Sequence, residues 1–230
     1  MRWTIAAAVL ALSGCANASA VPSPATERSY ALSGFTAVEL AGPDDVRVSV
    51  GPGFSVRATG PAETLDRLEV TVVGDRLRVR RIGRSVSRDG ATVFVTLPAL
   101  RAASLGGSGD LRVDRVEGGD FATAVAGSGD LTVERLAVDR LTGDLAGSGT
   151  LSLAGSAREL ELSVAGSGDV AAGGLATERA AVSVMGSGDV RAAVRGPASV
   201  SMMGSGDVDL GPAARCQVSK MGSGSVRCGG

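Results

Sequence analysis

Seven polar side chains each directly follow a Gly-Ser-Gly triplet, and their type and spacing could do chemistry. The triplets recur every 18–20 residues, at 107–109, 127–129, 147–149, 166–168, 186–188, 204–206 and 222–224. The residues after them are Asp110, Asp130, Thr150, Asp169, Asp189, Asp207 and Ser225. Carboxylate oxygens in such a column could bind calcium. They could also accept hydrogen bonds from backbone N–H groups near the turns.

Three features of this column favour turn capping over calcium. The pattern is similar to calcium-binding nonapeptide repeats, but each Asp follows the second glycine directly instead of one residue later. One triplet per repeat leaves no second half-turn to complete a shell of about six oxygens. Thr150 and Ser225 replace Asp, and a capping position tolerates this because a hydroxyl also accepts hydrogen bonds. We therefore predict turn capping, with a calcium-stabilised secreted repeat protein as an alternative.

The composition removes the commonest enzyme chemistries. The 230 residues include no histidine, so neither a Ser-His-Asp nor a Cys-His mechanism can be built. The triplet serines thus have no histidine base, and we interpret them as small corner residues. A formal net charge of −1 provides no long-range field for nucleic acid. We expect no catalytic residues, no cofactor, no metal and no nucleic-acid partner.

The first residues have the composition of an export signal. Arg2 supplies one positive charge, and the apolar run at 5–12 is too short to span a bilayer. The following Leu-Ser-Gly-Cys at 12–15 resembles the lipobox of bacterial lipoproteins. The resemblance implies cleavage before Cys15, acylation of that cysteine and a membrane anchor. Because Ala16 is not the Asp of inner-membrane retention, it also implies an outer-membrane destination facing the periplasm.

An ordinary signal-peptidase site competes with the lipobox. Cleavage after Ala20 would release a soluble periplasmic or secreted protein. We assign residues 1–14, or alternatively 1–20, to the signal peptide and residues 15–29 to a flexible tether. Residues 30–230 then form a single folded domain, with N-terminal coils and a cap over 30–100 and regular repeats over 101–230.

The triplet flanks alternate between apolar and small or polar residues. The second position before each triplet holds Leu105, Val125, Leu145, Val164, Val184, Met202 and Lys220. Period-two alternation on both sides of a glycine turn predicts strand–turn–strand. Units of 18–20 residues can bury their apolar side only against neighbouring units. The sequence therefore predicts an all-β, right-handed parallel β-solenoid, or β-helix, whose coils turn at Gly-Ser-Gly.

Residues 30–100 alternate like strands but have less regular spacing. We expect longer, irregular coils of the same solenoid, which also cap its open end. Residues 61–67 are the one stretch in this region whose pattern predicts a short helix.

Two pairs of alternatives concern residues near the C-terminus. Cys216 and Cys228 are the only cysteines after Cys15, and in an exported protein they predict a disulfide, with two buried thiols as the alternative. Residues Met185, Met203 and Met221 precede the last three triplets. We interpret them as core packing or an apolar ridge, ahead of a metal-binding methionine site.

The densest run of charge is arginine-rich: Arg76, Arg78, Arg80, Arg81, Arg84 and Arg88. Leu77 and Val79 alternate with these arginines, which is typical of the solvated face and tip of a hairpin. The alternative is a contact with lipid phosphates or acidic glycans.

The motifs together resemble a bacterial family of auto-transporter adhesins with a head GIN domain. The resemblance rests on the lipoprotein-like leader, the run Val46-Arg-Val-Ser-Val50, and Val93-Phe-Val-Thr-Leu-Pro-Ala-Leu100 leading into the first triplet. It covers about residues 30–230. It implies a right-handed β-helix on exported, often anchored proteins, and it implies no catalytic residues.

Three functions follow as expectations. The first is a non-catalytic, lipid-anchored envelope module that binds an envelope protein or glycan. The second is a carbohydrate-binding or carbohydrate-active β-helix protein, although a fraction of 3% aromatic residues leaves few stacking platforms for sugars. The third is the calcium-stabilised repeat protein.

Overall fold

A computed structural model describes residues 26–83 and 90–229 of the chain. Within these two ranges the chain forms 18 strands and one four-residue helix. None of the helical structure in these ranges is long and apolar enough to cross a membrane. The leader with Cys15, and Arg84 and Arg88 of the arginine run, lie outside the described residues.

The elements fall into an irregular and a regular group. The irregular group comprises β1 (Thr26–Tyr30), β2 (Ala37–Gly42), β3 (Asp45–Val50), β4 (Ser55–Gly60), α1 (Ala62–Leu65), β5 (Leu68–Val73), β6 (Arg76–Arg81) and β7 (Thr92–Leu97). The regular group comprises β8 (Ala102–Gly107), β9 (Leu111–Val113), β10 (Val116–Gly127), β11 (Leu131–Gly147), β12 (Thr150–Gly166), β13 (Asp169–Gly186), β14 (Val190–Val194), β15 (Pro197–Gly204), β16 (Asp207–Asp209), β17 (Arg215–Met221) and β18 (Ser225–Arg227). The short helix that the sequence predicted over 61–67 is therefore present as α1.

The regular strands stack in parallel as successive coils of a β-solenoid. Before the triplets, the pairing runs β8, β10, β11, β12, β13, β15, β17. After the triplets, β9, β11, β12, β13, β14, β16 and β18 pair in the same way. The register places Gly127 on Gly107 and Gly147 on Gly127. The parallel solenoid with coils turning at Gly-Ser-Gly is thus confirmed.

The inward side chains form continuous apolar columns. The column before the triplets is at most 2% exposed from Leu105 to Met202. Burying each such side chain contributes roughly 1.5–3 kcal/mol. In the last coil Lys220 takes this position, and its ammonium donates to the Gly224 carbonyl at 2.7 Å. A lysine at this open edge disfavours pairing with a further strand.

The two glycines of each triplet are required for different reasons. The first has positive φ, as at Gly127 (141°), which side chains rarely tolerate. At the second glycine, stacking excludes any side chain, because a Cβ on Gly129 would lie 2.1 Å from the Gly109 carbonyl oxygen. The N–H groups of Ser128 and Gly129 both donate to the Gly107 carbonyl, at 2.9 and 3.1 Å. Each turn therefore hydrogen-bonds directly to the previous one, and this contact leaves no room for a side chain at the glycine positions.

The N-terminal coils do not stack in chain order. Strand β2 lies between β6 and β8, and β3 lies between β7 and β9. After β3 the chain runs through β4, α1 and β5, returns as β6 and β7 outside the first coil, and then crosses to β8. Antiparallel pairs β1–β4, β4–β7 and β5–β6 complete this end. The sequence predicted a cap here but not its antiparallel pairing.

The expected tether over 15–29 extends too far. Strand β1 begins at Thr26, because its backbone pairs with β4 in register from Thr26 with Gly60 onward. The Arg28 guanidinium adds hydrogen bonds to the Leu65 carbonyl (2.7 Å) and the Asp66 carboxylate (2.6 Å). These contacts order residues 26–29 as part of the folded domain.

One arginine of the predicted solvated run is buried. The side chains of Arg81 and Asp44 are 6% and 1% exposed and form a two-point ion pair, with Arg81 Nε 3.0 Å from Asp44 Oδ2. Asp44 Oδ1 also accepts the Ala91 N–H at 2.8 Å. For Arg81 the hairpin-surface interpretation is wrong, because Arg81 continues the inward alternation of Leu77 and Val79 and its guanidinium pairs with Asp44.

Candidate functional site

The predicted turn-capping residues lie one above another, and their hydrogen bonds join neighbouring coils. Carboxylate Oδ1 atoms accept the backbone N–H of the next column member at 2.9–3.0 Å: Asp130 from Thr150, Asp169 from Asp189, Asp189 from Asp207 and Asp207 from Ser225. The Ser225 hydroxyl also donates to Asp207 at 2.7 Å. These hydrogen bonds lower the pKa of Asp207.

The column has a further member that sequence reasoning missed. Asp45 Oδ1 accepts the Asp110 N–H at 3.1 Å. The turn before it is Gly42-Pro-Asp44, and the Gly42 carbonyl accepts the N–H groups of Ser108 and Gly109. The glycine and the following Asp pair were the available signal, but no Gly-Ser-Gly marks this turn. The column therefore joins neighbouring coils. Among the described residues, no three His, Cys, Asp or Glu side chains lie close enough together to hold a metal ion.

The two cysteines of the last coil are joined. Cys216 and Cys228 form a disulfide with their Cα atoms 6.1 Å apart, and both pack partly buried against the core. The bond links β17 to the residues that follow β18. It therefore fastens the last coil, whose strands β17 and β18 pair on one side among the described residues.

The remaining described arginines of the dense run face carboxylates. Arg76 and Arg78 lie 3.3 and 3.2 Å from Glu39, and Arg80 lies 2.8 Å from Glu69. These pairs neutralise much of the positive charge. The arrangement fits the solvated face of a hairpin better than a patch that binds phosphates.

Two of the four phenylalanines are buried, Phe94 is flanked by arginines, and Phe54 is 40% exposed. Phe35 and Phe121 are 0% and 2% exposed. The Phe94 ring lies between the guanidinium carbons of Arg47 and Arg57, at 5.9 and 5.1 Å from its centroid. The arginine contacts occupy the surfaces of Phe94 on which a sugar ring would stack.

A corner of the solenoid carries charges of alternating sign. Arg140 pairs with Glu159 at 3.0 Å and Arg158 with Asp139 at 3.3 Å, so sign alternates both along the chain and between coils. A shallow groove of about 390 Å³ runs beside this corner. Its balanced charge provides no attraction for a polyanion.

A groove of about 560 Å³ lies on the outer side of strands β11, β12, β13, β15 and β17. Two outward columns line it. One contains Asp144, Ser163, Ser183, Ser201 and Ser219. The other contains Thr142, Glu161, Ala181, Ser199 and Gln217. We call these two columns the serine face.

The serine face is bordered by a ridge of methionines. Met185, Met203 and Met221 are 58%, 56% and 69% exposed, so they are not core residues. The sequence left core packing or a surface ridge open, and the alternation of β13, β15 and β17 places them outside. We call these three residues the methionine ridge.

The serine face has the geometry of a contact surface. Hydroxyls and small side chains at about 4.8 Å intervals give a flat surface on a rigid backbone. The described carboxylate and tyrosine with shifted pKa values, Asp207 and Tyr30, do not line it. The pKa of Tyr30 is raised by burial at the other end of the molecule.

Fold and surface together define a β-solenoid that displays a flat face. Comparison with known families identifies the family to which this solenoid belongs. The chain belongs to the family described as "Putative auto-transporter adhesin, head GIN domain", whose sequence model matches residues 34–229. The protein is thus an adhesin-like module, and its family indicates an exported or cell-surface protein.

Solved structures have the same fold at low identity. A "putative adhesin" from Bacteroides fragilis NCTC 9343 is 20% identical, with a TM-score of 0.77 over 90% of this chain and 98% of its own. A "putative lipid binding protein" from Parabacteroides distasonis ATCC 8503 is also 20% identical, with a TM-score of 0.66 over 89% of this chain and 96% of its own. A "putative adhesin" from the same organism is 21% identical, with a TM-score of 0.66 over 90% and 97%. None of the curated proteins matches the sequence.

Proposed function

We propose that this protein is a non-catalytic, lipid-anchored module of the cell envelope that binds another envelope protein through the serine face. The observation that carries this proposal is the 560 Å³ groove on the outer side of β11 to β17, bordered by exposed methionines. Contiguous exposed apolar side chains beside a polar, flat surface are typical of protein contact sites. Methionine is common at such surfaces because its side chain adapts to different partners.

The rigidity of the face supports binding without reordering. Every strand beneath the serine face pairs with a neighbour on at least one side, and β11, β12, β13 and β15 pair on both. Hydroxyl groups on this backbone have fixed spacing. A partner would therefore meet a preformed surface, which reduces the ordering cost of association.

The serine face lies on the half of the stack that is farther from the capped end. Cys15 is 11 residues before Thr26, where β1 begins at the capped end. Nine strands stack from β6 to β17, a height of about 38 Å at the usual inter-strand spacing. An acylated Cys15 would hold the capped end near the membrane and present the serine face away from it.

The test of partner binding uses two matched alanines on strand β13. Ala181 is exposed on the serine face, and Ala171 is exposed on the other side of the solenoid. Ala181→Arg should abolish retention of an envelope protein in a pull-down from membrane extracts, whereas Ala171→Arg should leave it intact. Equal retention by both variants would contradict the proposal. Retention of glycan instead of protein would favour the carbohydrate-binding alternative.

The anchor has its own test. Cys15→Ser should move the protein from the membrane fraction to the soluble fraction and remove the mass of the acyl chains from the N-terminal peptide. If the wild-type protein begins after Ala20 and is already soluble, the lipoprotein assignment is wrong while the proposed binding face stands.

A further inference from the structure

The methionine ridge is an abrupt change within one column of the repeat. The same outward position holds Gly106, Ala126, Ala146 and Ala165 in the preceding coils. It then holds Met185, Met203 and Met221 in the last three. Alanine suffices for this position in the fold, and each methionine is more than half exposed. Packing within the chain therefore does not account for three long thioether side chains here.

The register brings the three side chains together. Met185 pairs with Met203 in the β13–β15 ladder, and Met203 pairs with Met221 in the β15–β17 ladder. Adjacent in-register strands are about 4.8 Å apart. Each methionine has three rotatable side-chain bonds, so the outer two sulfurs can reach the central one without backbone movement.

We propose that the methionine ridge is a binding site for Cu(I), with the Sδ atoms of Met185, Met203 and Met221 as ligands. Thioether sulfur is a soft ligand that selects Cu(I) over calcium, magnesium and manganese. It carries no proton to lose, so the site binds over a wide pH range. The two cysteine sulfurs of the coils are engaged in the disulfide and do not compete.

The surroundings of the ridge fit a soft monovalent cation. The outward residues two before the methionines are Ser183, Ser201 and Ser219, and those two after are Ser187, Ser205 and Ser223. Neutral hydroxyls therefore flank the ridge on both sides. The one cation beside it in sequence, Lys220, directs its ammonium to the Gly224 carbonyl. Among the described residues no cluster of three His, Cys, Asp or Glu offers a harder metal an alternative.

Adjacent methionines on opposite sides of β15 provide a matched test. Met203 is 56% exposed on the ridge, and Met202 is 2% exposed in the core. Anaerobic titration with Cu(I) against a chromophoric Cu(I) chelator measures the affinity of the purified protein. Met203→Leu should weaken binding by roughly tenfold or more, because it removes the central ligand. Met202→Leu should leave the affinity unchanged.

Methyl resonances give a second readout that does not depend on the variants folding equally well. Cu(I) should shift the εCH₃ signals of Met185, Met203 and Met221 and leave that of Met202 in place. Failure of the wild-type protein to compete with the chelator, or equal affinity of Met203→Leu, would overturn the inference. Ala181→Arg should bind Cu(I) like the wild type, so this inference and the proposed partner binding fail independently.

Discussion

The two ends of the solenoid are closed by different means. The N-terminal end uses antiparallel strands, a helix and the buried pair of Asp44 with Arg81. The C-terminal end keeps the repeat to its last coil and adds a disulfide and Lys220. The first is a cap built from long-range contacts, and the second is a local fastening of an otherwise open edge. A stacked repeat thus needs special chemistry only where the stacking stops.

The largest loss of stability should come from removing the buried carboxylate of the N-terminal cap. Asp44→Ala leaves the buried Arg81 guanidinium without its ion-pair carboxylate and the Ala91 N–H without its acceptor. We expect a loss of about 3–5 kcal/mol in the free energy of unfolding, measured in urea. Glu69→Ala is the control, because its pair with Arg80 is solvent-exposed and should cost at most about 1 kcal/mol. Equal losses would show that burial does not set the strength of the cap.

The C-terminal fastening can be removed separately. Replacing Cys216 and Cys228 by Ser opens a cross-link of sequence separation 12. The chain-entropy cost is about 3 kcal/mol. Hydrogen exchange should become faster in β17 and β18 while β2 and β6 keep their protection. If protection falls equally at both ends, the disulfide stabilises the whole solenoid and the two ends are not independent.

Between the ends, stacking of glycine turns should fail at single positions. A Cβ on Gly149 would lie 2.1 Å from the Gly129 carbonyl oxygen, whereas a Cβ on Gly173 meets no atom within 4 Å. Gly149→Ala should therefore destabilise the protein by about 1–3 kcal/mol. The matched Gly173→Ala should change the urea midpoint little. The opposite ranking would rule out close approach as the reason for the second glycine.

The smallest effect concerns pH at the last turn. Hydrogen bonds from Ser225 hold the pKa of Asp207 below its ordinary value of 3.8. A depressed pKa stabilises the fold above the unfolded-state value, and this contribution is lost as pH falls through the folded-state value. Ser225→Ala should raise the pKa of Asp207 towards 3.8 in a carboxyl NMR titration. An unchanged titration would mean that the hydroxyl does not contribute.

Much of the regular half could be predicted because its information is local and repeated. The triplets gave the turns, and alternation around them gave the inward columns from Leu105 to Met202. The exchange of Asp for Thr and Ser predicted a hydrogen-bonding role for residues such as Asp130. The repeat did not predict which backbone N–H donates to each carboxylate. That donor is the N–H of the next coil, which only stacking brings into reach.

The sequence by itself determined the β-solenoid, the glycine turns and the family, because seven in-register repeats constrain strand and turn at every coil. Only the tertiary structure decided that β6 and β7 lie outside the first coil and that Arg81 is buried against Asp44. It also decided that the three methionines line the outside beside the serine face. The physical reason is that alternation fixes which side a residue takes within a strand, whereas pairing between distant strands fixes what lies next to it.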